Sequence, residues 1–587
     1  MNSATLSRMA KGTSSSRGSA KSAKQATLFD QERLTDLPVE TGDVAVLEHE
    51  VEAPATEAGG SRGKKSGGGR RVIDAQSMAS QQRDISVSEF FTKNRHLLGF
   101  DNPRKALLTT VKEAVDNALD ACEEAGIVPE IEVTIHEESD KRFIVKVRDN
   151  GPGIVKEQIP KIFGKLLYGS KFHRYRQSRG QQGIGISAAG MYGLLTTGRP
   201  VAITSRTGPR RPAHHYEIAI DTRRNKPEII KDEVVDEPGF ARGTEVVIAL
   251  EGEFLRGKRS VDEFLELTAL ANPHATFTYR SPKAEPFFWK RVTDELPPEA
   301  KEIKPHPHGV ELGTLLKILR DSTDRRVVDT LVHSFSRVTP KVASEICDKA
   351  KVSAKASAAT IDTRAVERIY RAIPEVKILA PPTNCLVPTG AELIEQNLRA
   401  RITADFYASC SRPPAVYRGN PFLVEAGLAY GGKLPAEDLM EVLRFANRVP
   451  LIYQSGACVI TKAVIGTNWK AYGLQQSRGA PPSGPVVLFV QLASVWVPFT
   501  SESKEAIAGY PEIVKEIRLA LMDVGRKLGM FLRKRQRSAD EEKKKSYITK
   551  YIPQIGIALQ DILKLTDPQR DKTVEDLKGI LERSRTS

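Results

Sequence analysis

"KEAVDNALDACEEAG" (residues 112–126) has the apolar spacing of an amphipathic helix, yet it carries Glu113 and Asn117 on the face that solvent should hold. Side chains four residues apart on a helix lie one above the other, so a carboxylate and an amide stand in register, with Asp116 and Asp120 beside them. Taken alone, such a helix is read as a solvated polar surface. The segments around it change that reading.

Downstream, "EIEVTIHEE" (130–138) and "RFIVKVRD" (142–149) alternate strictly, with Ile131, Val133 and Ile135 matching Phe143, Val145 and Val147. The polar stretch between them predicts a hairpin. "PVAITSRTG" and "GTEVVIAL" extend the sheet to about residue 250. The pattern predicts helices on one side of a largely antiparallel sheet.

Two glycine-rich elements sit on this frame. "DNGPGI" (149–154) ends a strand, where Asp149 can accept a hydrogen bond from an exocyclic amine. Gly151 and Gly153 there let a ligand approach the backbone. "GQQGIGISAAG" (180–190) puts four glycines ahead of an apolar helical run, offering backbone N–H groups to anionic oxygens. Two other phosphate motifs fail. Gly183 to Ala188 matches a loose dinucleotide fingerprint but follows "HRYRQSRGQQ" rather than an apolar strand. "GKLLYGSK" (164–171) inverts the last two residues of a P-loop.

Composition narrows the class. The chain of 587 residues has 88 Lys and Arg against 73 Asp and Glu, a net charge of +15, which favours a polyanionic partner such as nucleic acid. Its five cysteines show no CxxC or Cys/His spacing, so neither a zinc site nor a disulfide framework follows. The apolar run at 486–499 is too short to span a bilayer, and no signal-peptide core stands at the start. A soluble intracellular protein is expected.

Residues 1–85 are polar and charged, and are expected to be disordered. Residues 305–380 switch to helical periodicity in four segments, one of them opening on the cap Thr339–Pro340. Mixed strands around one helix, "AEDLMEVLRFANR" (436–448), are expected over 386–500. A long helix then begins in "SKEAIAGYPEIV", followed by a charged break and a last helical segment to about 565.

Glu113-x3-Asn117 with Asp120-Ala121, "DNGPGI", "GQQGIGIS" and "GTEV" (243–246) together resemble the nucleotide-binding signature of the gyrase, heat-shock chaperone, MutL and histidine-kinase ATPase superfamily. Within it, "EAVDNALDACEEAGIVP" and "SRGQQGIGISAAG" resemble the B subunits of type IIB DNA topoisomerases, over roughly residues 86–560. The resemblance implies an α+β multidomain fold. An extension (1–85) would precede a Bergerat-type ATPase α/β sandwich (86–304), a helix-two-turn-helix insertion (305–385), a transducer core (386–505) and C-terminal helices (506–587).

The resemblance also implies roles. Glu113 would be the general base for the water that attacks the γ-phosphate of ATP, and Asn117 a ligand to Mg2+. Asp149 would read adenine, approached past Gly151 and Gly153. Ser170 and Lys171 would belong to the lid, and Gly180, Gln181, Gln182, Gly183, Ile184, Gly185, Ile186 and Ser187 would wrap the triphosphate. Thr244 would lie in the pocket floor. Lys470, in "TNWKAYGLQQ", would be the lysine reaching the γ-phosphate from the next domain.

The partners implied are an A subunit in a heterotetramer, a second copy of the chain on ATP binding, and double-stranded DNA, with no membrane. Basic residues of the helical insertion, Arg325 and Arg326 among them, would meet DNA phosphates. The location implied is the prokaryotic cytoplasm at the nucleoid, or the nucleus in a eukaryote. The alternative is an ATP-dependent clamp or chaperone of the same superfamily.

Overall fold

The computed structural model describes residues 89–583, apart from 90, 92, 170–173, 181–182, 222–223 and 502. The segment 1–85 therefore lies outside the described residues.

Helix α1 (Pro103–Glu124) starts where Asn102 accepts a hydrogen bond from the Lys105 amide, with proline at the first helical position. Its apolar side lies on an eight-stranded sheet. The strands are β1 (Glu130–Ser139), β2 (Arg142–Asp149), β3 (Val201–Arg206), β4 (Ala213–Asp221), β5 (Lys226–Val235), β6 (Gly243–Glu251), β7 (Thr276–Arg280) and β8 (Phe287–Trp289). Their order is β5-β4-β3-β6-β2-β1-β7-β8, antiparallel except for β1 with β7. The sheet thus runs past residue 250, where the strand pattern in the sequence gives out. Three more helices, α2 (Ile159–Gly164), α3 (Gly185–Thr197) and α4 (Val261–Ala271), belong to this body, and α1 packs against β2, β6 and α3.

Helices α5 (Leu312–Arg320), α6 (Val327–Ser334), α7 (Pro340–Lys349) and α8 (Thr363–Ala372) enclose a separate core that includes Leu319, Leu331, Ile346 and Ile369. Thr339 caps α7 by accepting from the Val342 amide.

The third body begins with α9 (Ala391–Arg401). Its sheet contains β9 (Phe406–Ser411), β10 (Ala415–Tyr417), β11 (Asn420–Tyr430), β12 (Glu441–Ala446) and β13 (Val449–Pro450). After α10 (Val459–Ile465) come the short pair β14 (Gln475–Gln476) and β15 (Pro482–Ser483), and then the central strand β16 (Val486–Ser494), buried along its whole length. Helices α11 (Pro511–Leu563) and α12 (Asp567–Arg583) complete the chain. Leu267, Leu270 and Ala271 of α4 share an apolar cluster with Ile394, Leu398, Phe445 and Phe489, which joins this body to the first.

Two expectations fail here. The segment 436–448 is no helix: residues 441–446 form β12, parallel to β16. A strand covered on both faces has no polar alternation, so its apolar spacing imitates a helical stripe. The charged stretch after residue 537 does not break the long C-terminal helix either. Residues 511–563 form one helix, in which Lys, Glu, Arg and Gln are good helix formers. That helix starts at Pro511, and residues 503–510 form a loop ahead of it.

Candidate nucleotide site

A cavity of about 570 Å³ opens beside α1. Glu113, Asn117 and Ala121 contribute one wall, the start of α3 a second, and Asp149, Thr244 and Val246 the floor. The remaining wall comes from the third body: Pro450 to Tyr453, at the end of β13 and just beyond it, and Ser503 to Glu505, in the loop before α11.

The start of α3 bears on Glu113. Among the described residues no side chain caps this helix and no acid stands in its first turn, so its first amides can face an anion. Gly185 lies against the Glu113 carboxylate; a Cβ placed on it would fall 1.7 Å from Oε2. Asn117 is exposed to the cavity, and Gly180, Gly183, Ile184 and Ile186 line it. Ser187 does not: it is buried, and its hydroxyl donates to the Ile184 carbonyl. Ser170, Lys171, Gln181 and Gln182 lie outside the described residues.

Asp149 ends β2 half-buried. Its Oδ1 accepts from the amides of Gly151 (2.8 Å) and Thr244 (3.2 Å), and no hydrogen bond to Oδ2 is present among the described residues. Burial pushes the carboxyl up to about 6, against the lowering effect of those two bonds. The Thr244 hydroxyl is paired with Ser205 at 3.0 Å.

The two glycines after Asp149 have a different reason from the one expected. Gly153 has φ +73°, and a Cβ there would lie 2.3 Å from the Arg206 carbonyl oxygen, so the protein's own backbone excludes a side chain. Gly151 is pressed against Asp149 and Cys122 and does not line the cavity, whereas Gly153 does.

Lys470 does not stand where its motif implies. It is exposed in a 3-10 turn, Trp469–Tyr472, outside the cavity wall. The Tyr472 ring of that turn packs on Gly525 of α11, which fixes the turn against the helix instead. The lysine that reaches the cavity from the third body is Lys504, at φ +54°. Burial lowers its pKa, opposed chiefly by the nearby Glu113 carboxylate. The loop is anchored by its neighbour Glu505, which accepts from Lys105 of α1 (2.6 Å) and from Gln454 (2.6 Å). Lys105 and Lys112 also line the cavity. Burial works against the Lys112 charge, but Glu113 and Asp116 more than compensate and raise its pKa. Sequence spacing carries no signal for Lys504, since only the fold brings it to α1.

Comparison with known proteins accords with this geometry. Residues 102–250 match the family of histidine kinase-, DNA gyrase B- and HSP90-like ATPases, and residues 381–544 the family described as topoisomerase VI B subunit, transducer. The B subunit of type 2 DNA topoisomerase 6 from Methanococcoides burtonii is 48% identical over 508 residues, 86% of this chain and 82% of that protein. The proteins of the same name from Methanosarcina barkeri and Archaeoglobus fulgidus are 47% and 46% identical, each over 86% of this chain and over 82% and 83% of their own lengths. With an ATPase body, a transducer and this degree of identity, the chain belongs to the family of topoisomerase VI B subunits.

Proposed function

We propose that the chain is the ATP-binding, ATP-hydrolysing subunit of a type IIB DNA topoisomerase, which couples nucleotide turnover to passage of a DNA duplex through a break made by an A subunit. The observation that carries this reading is the composite cavity, whose walls come both from the ATPase body and from the loop feeding the long α11 helix. A ligand that touches both bodies favours their closed arrangement, as any ligand-driven switch requires.

In this reading Asp149 accepts from the adenine amino group through its open Oδ2. Glu113 orients and deprotonates the attacking water, and the start of α3 gives amides to the phosphates. Lys504 supplies a positive point charge to the γ-phosphate from the transducer side. Among the described residues no cluster of three or more His, Cys, Asp or Glu could hold a metal. The Asn117 amide, exposed to the cavity one turn from Glu113, offers one oxygen to a magnesium ion that takes its other ligands from nucleotide and water. Such an ion would neutralise phosphate charge.

Two chains would dimerise on ATP binding and trap one duplex, while the A subunits, joined in a heterotetramer, cut another. Double-stranded DNA would be held by phosphate contacts from basic surfaces. Among the described residues no helix is long and apolar enough to cross a membrane. Work on DNA places the chain in the cytoplasm or nucleus in this reading. The test is relaxation of supercoiled plasmid by the purified chain together with an A subunit. Relaxation that requires both ATP and magnesium supports the reading; a chain that hydrolyses ATP but never supports relaxation favours a clamp or chaperone.

A further inference from the structure

A second set of charged groups, apart from the cavity wall, ties three separate segments of the chain to one carboxylate. Glu123 lies on α1, beyond Glu113 and Asn117 on the same rod. Its Oε1 accepts from Arg179 (2.6 Å) and pairs with the His274 ring (2.8 Å), and its Oε2 accepts from Arg448 (2.9 Å). Arg179 comes immediately before Gly180, where the chain enters the glycine-rich loop. It also donates to Asp120 (2.8 Å) and to Asn272 (2.5 Å). Arg448 belongs to the transducer. Burial disfavours the Glu123 charge, but Arg179, Arg448 and the His274 bond overcome it and hold its carboxyl well below the ordinary range.

The backbone at Arg448 makes this more than a surface ion pair. Ala446 pairs with Val449, so Asn447 and Arg448 form a two-residue hairpin turn, with φ +49° and +66°. Both central positions of such a turn have positive φ, and the second usually carries glycine. Here it carries arginine, with its side chain buried at 8% exposure. Strained backbone of this kind persists where the surroundings over-determine it. Asn447 continues the link by donating to the Ser178 carbonyl at 2.9 Å, one residue before Arg179. The same hairpin leads directly to Pro450 and its neighbours in the cavity wall.

We propose that Glu123, Arg179 and Arg448 form a latch that makes the root of the glycine-rich loop and the transducer hairpin move as one, a route of coupling separate from Lys504. They are positioning residues, since none touches the cavity. The inference rests on the proposed ATP-driven gate. Without the latch, nucleotide still binds and is hydrolysed, but the transducer no longer follows the loop.

The test uses the full chain with its A subunit. Arg448→Gly removes the side chain while giving the turn the residue that its φ favours, so the hairpin is retained. We expect ATP hydrolysis to stay within about threefold of wild type while relaxation per ATP hydrolysed falls by about tenfold. Adding Glu123→Gln should cost little more, since residues sharing one carboxylate are not additive. Hydrogen exchange of peptides spanning residues 174–180, measured on the purified chain without its A subunit and with a non-hydrolysable ATP analogue, should rise in Arg448→Gly.

A purely structural role would instead lower hydrolysis and relaxation in the same proportion, along with the unfolding temperature. That proportional loss, or unchanged relaxation per ATP with unchanged exchange, would overturn the latch. A wild-type chain that shows no relaxation with the A subunit counts against the proposed function. The exchange comparison needs only nucleotide binding and still decides the latch in that case.

Discussion

Gly185→Ala separates stability from chemistry. In the helix, alanine is favoured over glycine by about 1 kcal/mol, and Gly185 is not among the positive-φ glycines. The added Cβ, however, would meet Glu113 Oε2 at 1.7 Å, where real Cβ contacts are essentially never under 3.0 Å. The carboxylate must therefore retreat by about 1.3 Å, the gap between those two distances. Misplacing a reacting group by about 1 Å costs on the order of 10²-fold, and losing a general base about 10²–10⁴-fold. Single-turnover ATP hydrolysis should fall within that range, while the unfolding temperature is unchanged or slightly higher. Calorimetric titration with a non-hydrolysable ATP analogue should show binding retained within about tenfold, because Asp149 and the floor are untouched. Hydrolysis within about threefold of wild type would refute the assignment of Glu113 as the base.

Lys504→Ala should reduce ATP turnover by about 10²-fold or more, as for loss of a positioned charge at a phosphoryl group, whereas Lys470→Ala should leave turnover unchanged; the reverse order would restore Lys470 to the site. Asp149→Asn keeps an oxygen for the Gly151 and Thr244 amides but sets a donor against the adenine amine, so ATP affinity should fall by roughly 5- to 150-fold in a titration, and equal affinity would remove Asp149 from adenine recognition. Because burial raises the Asp149 carboxyl to about 6, ATP affinity should decline as pH falls through about 6. The same raised pKa acts oppositely on the empty fold: its stabilising contribution is full below the ordinary aspartate value near 3.9 and is lost as pH rises through about 6. DNA affinity should fall linearly with salt on logarithmic axes. Arg325→Glu should flatten that line more than Arg326→Glu, because Arg326 is engaged in a two-bond pair with Asp329.

The motifs assigned to nucleotide are local, and local patterns are what sequence shows. Glu113 with Asn117, Asp149 at a strand end and the glycines before α3 are all legible because helix period, strand alternation and turn chemistry each leave a mark within a dozen residues. Lys504 leaves none. Its approach to α1 depends on the register of β16 and the fold of the loop that follows, anchored by Glu505 on Lys105. Lys470 misleads because a lysine beside Trp469 in a turn has the same local features whether it faces a phosphate or solvent. The strand at 441–446 is hidden for a related reason: burial on both faces removes the alternation that distinguishes strand from helix. Gly151 and Gly153 are legible as glycines, but the partner that excludes their side chains, the protein's own chain, is not.

The loop that holds Lys504 ends at Pro511, where α11 begins a run of 53 helical residues, with Pro553 lying in its last quarter. At about 1.5 Å per residue, such a rod is about 80 Å long. Turning its base by about 10° sweeps its far end through about 14 Å, on the same geometry. If the proposed gate holds, a shift of an ångström or two at a phosphate would be amplified along this helix into travel on the order of 10 Å at its far end.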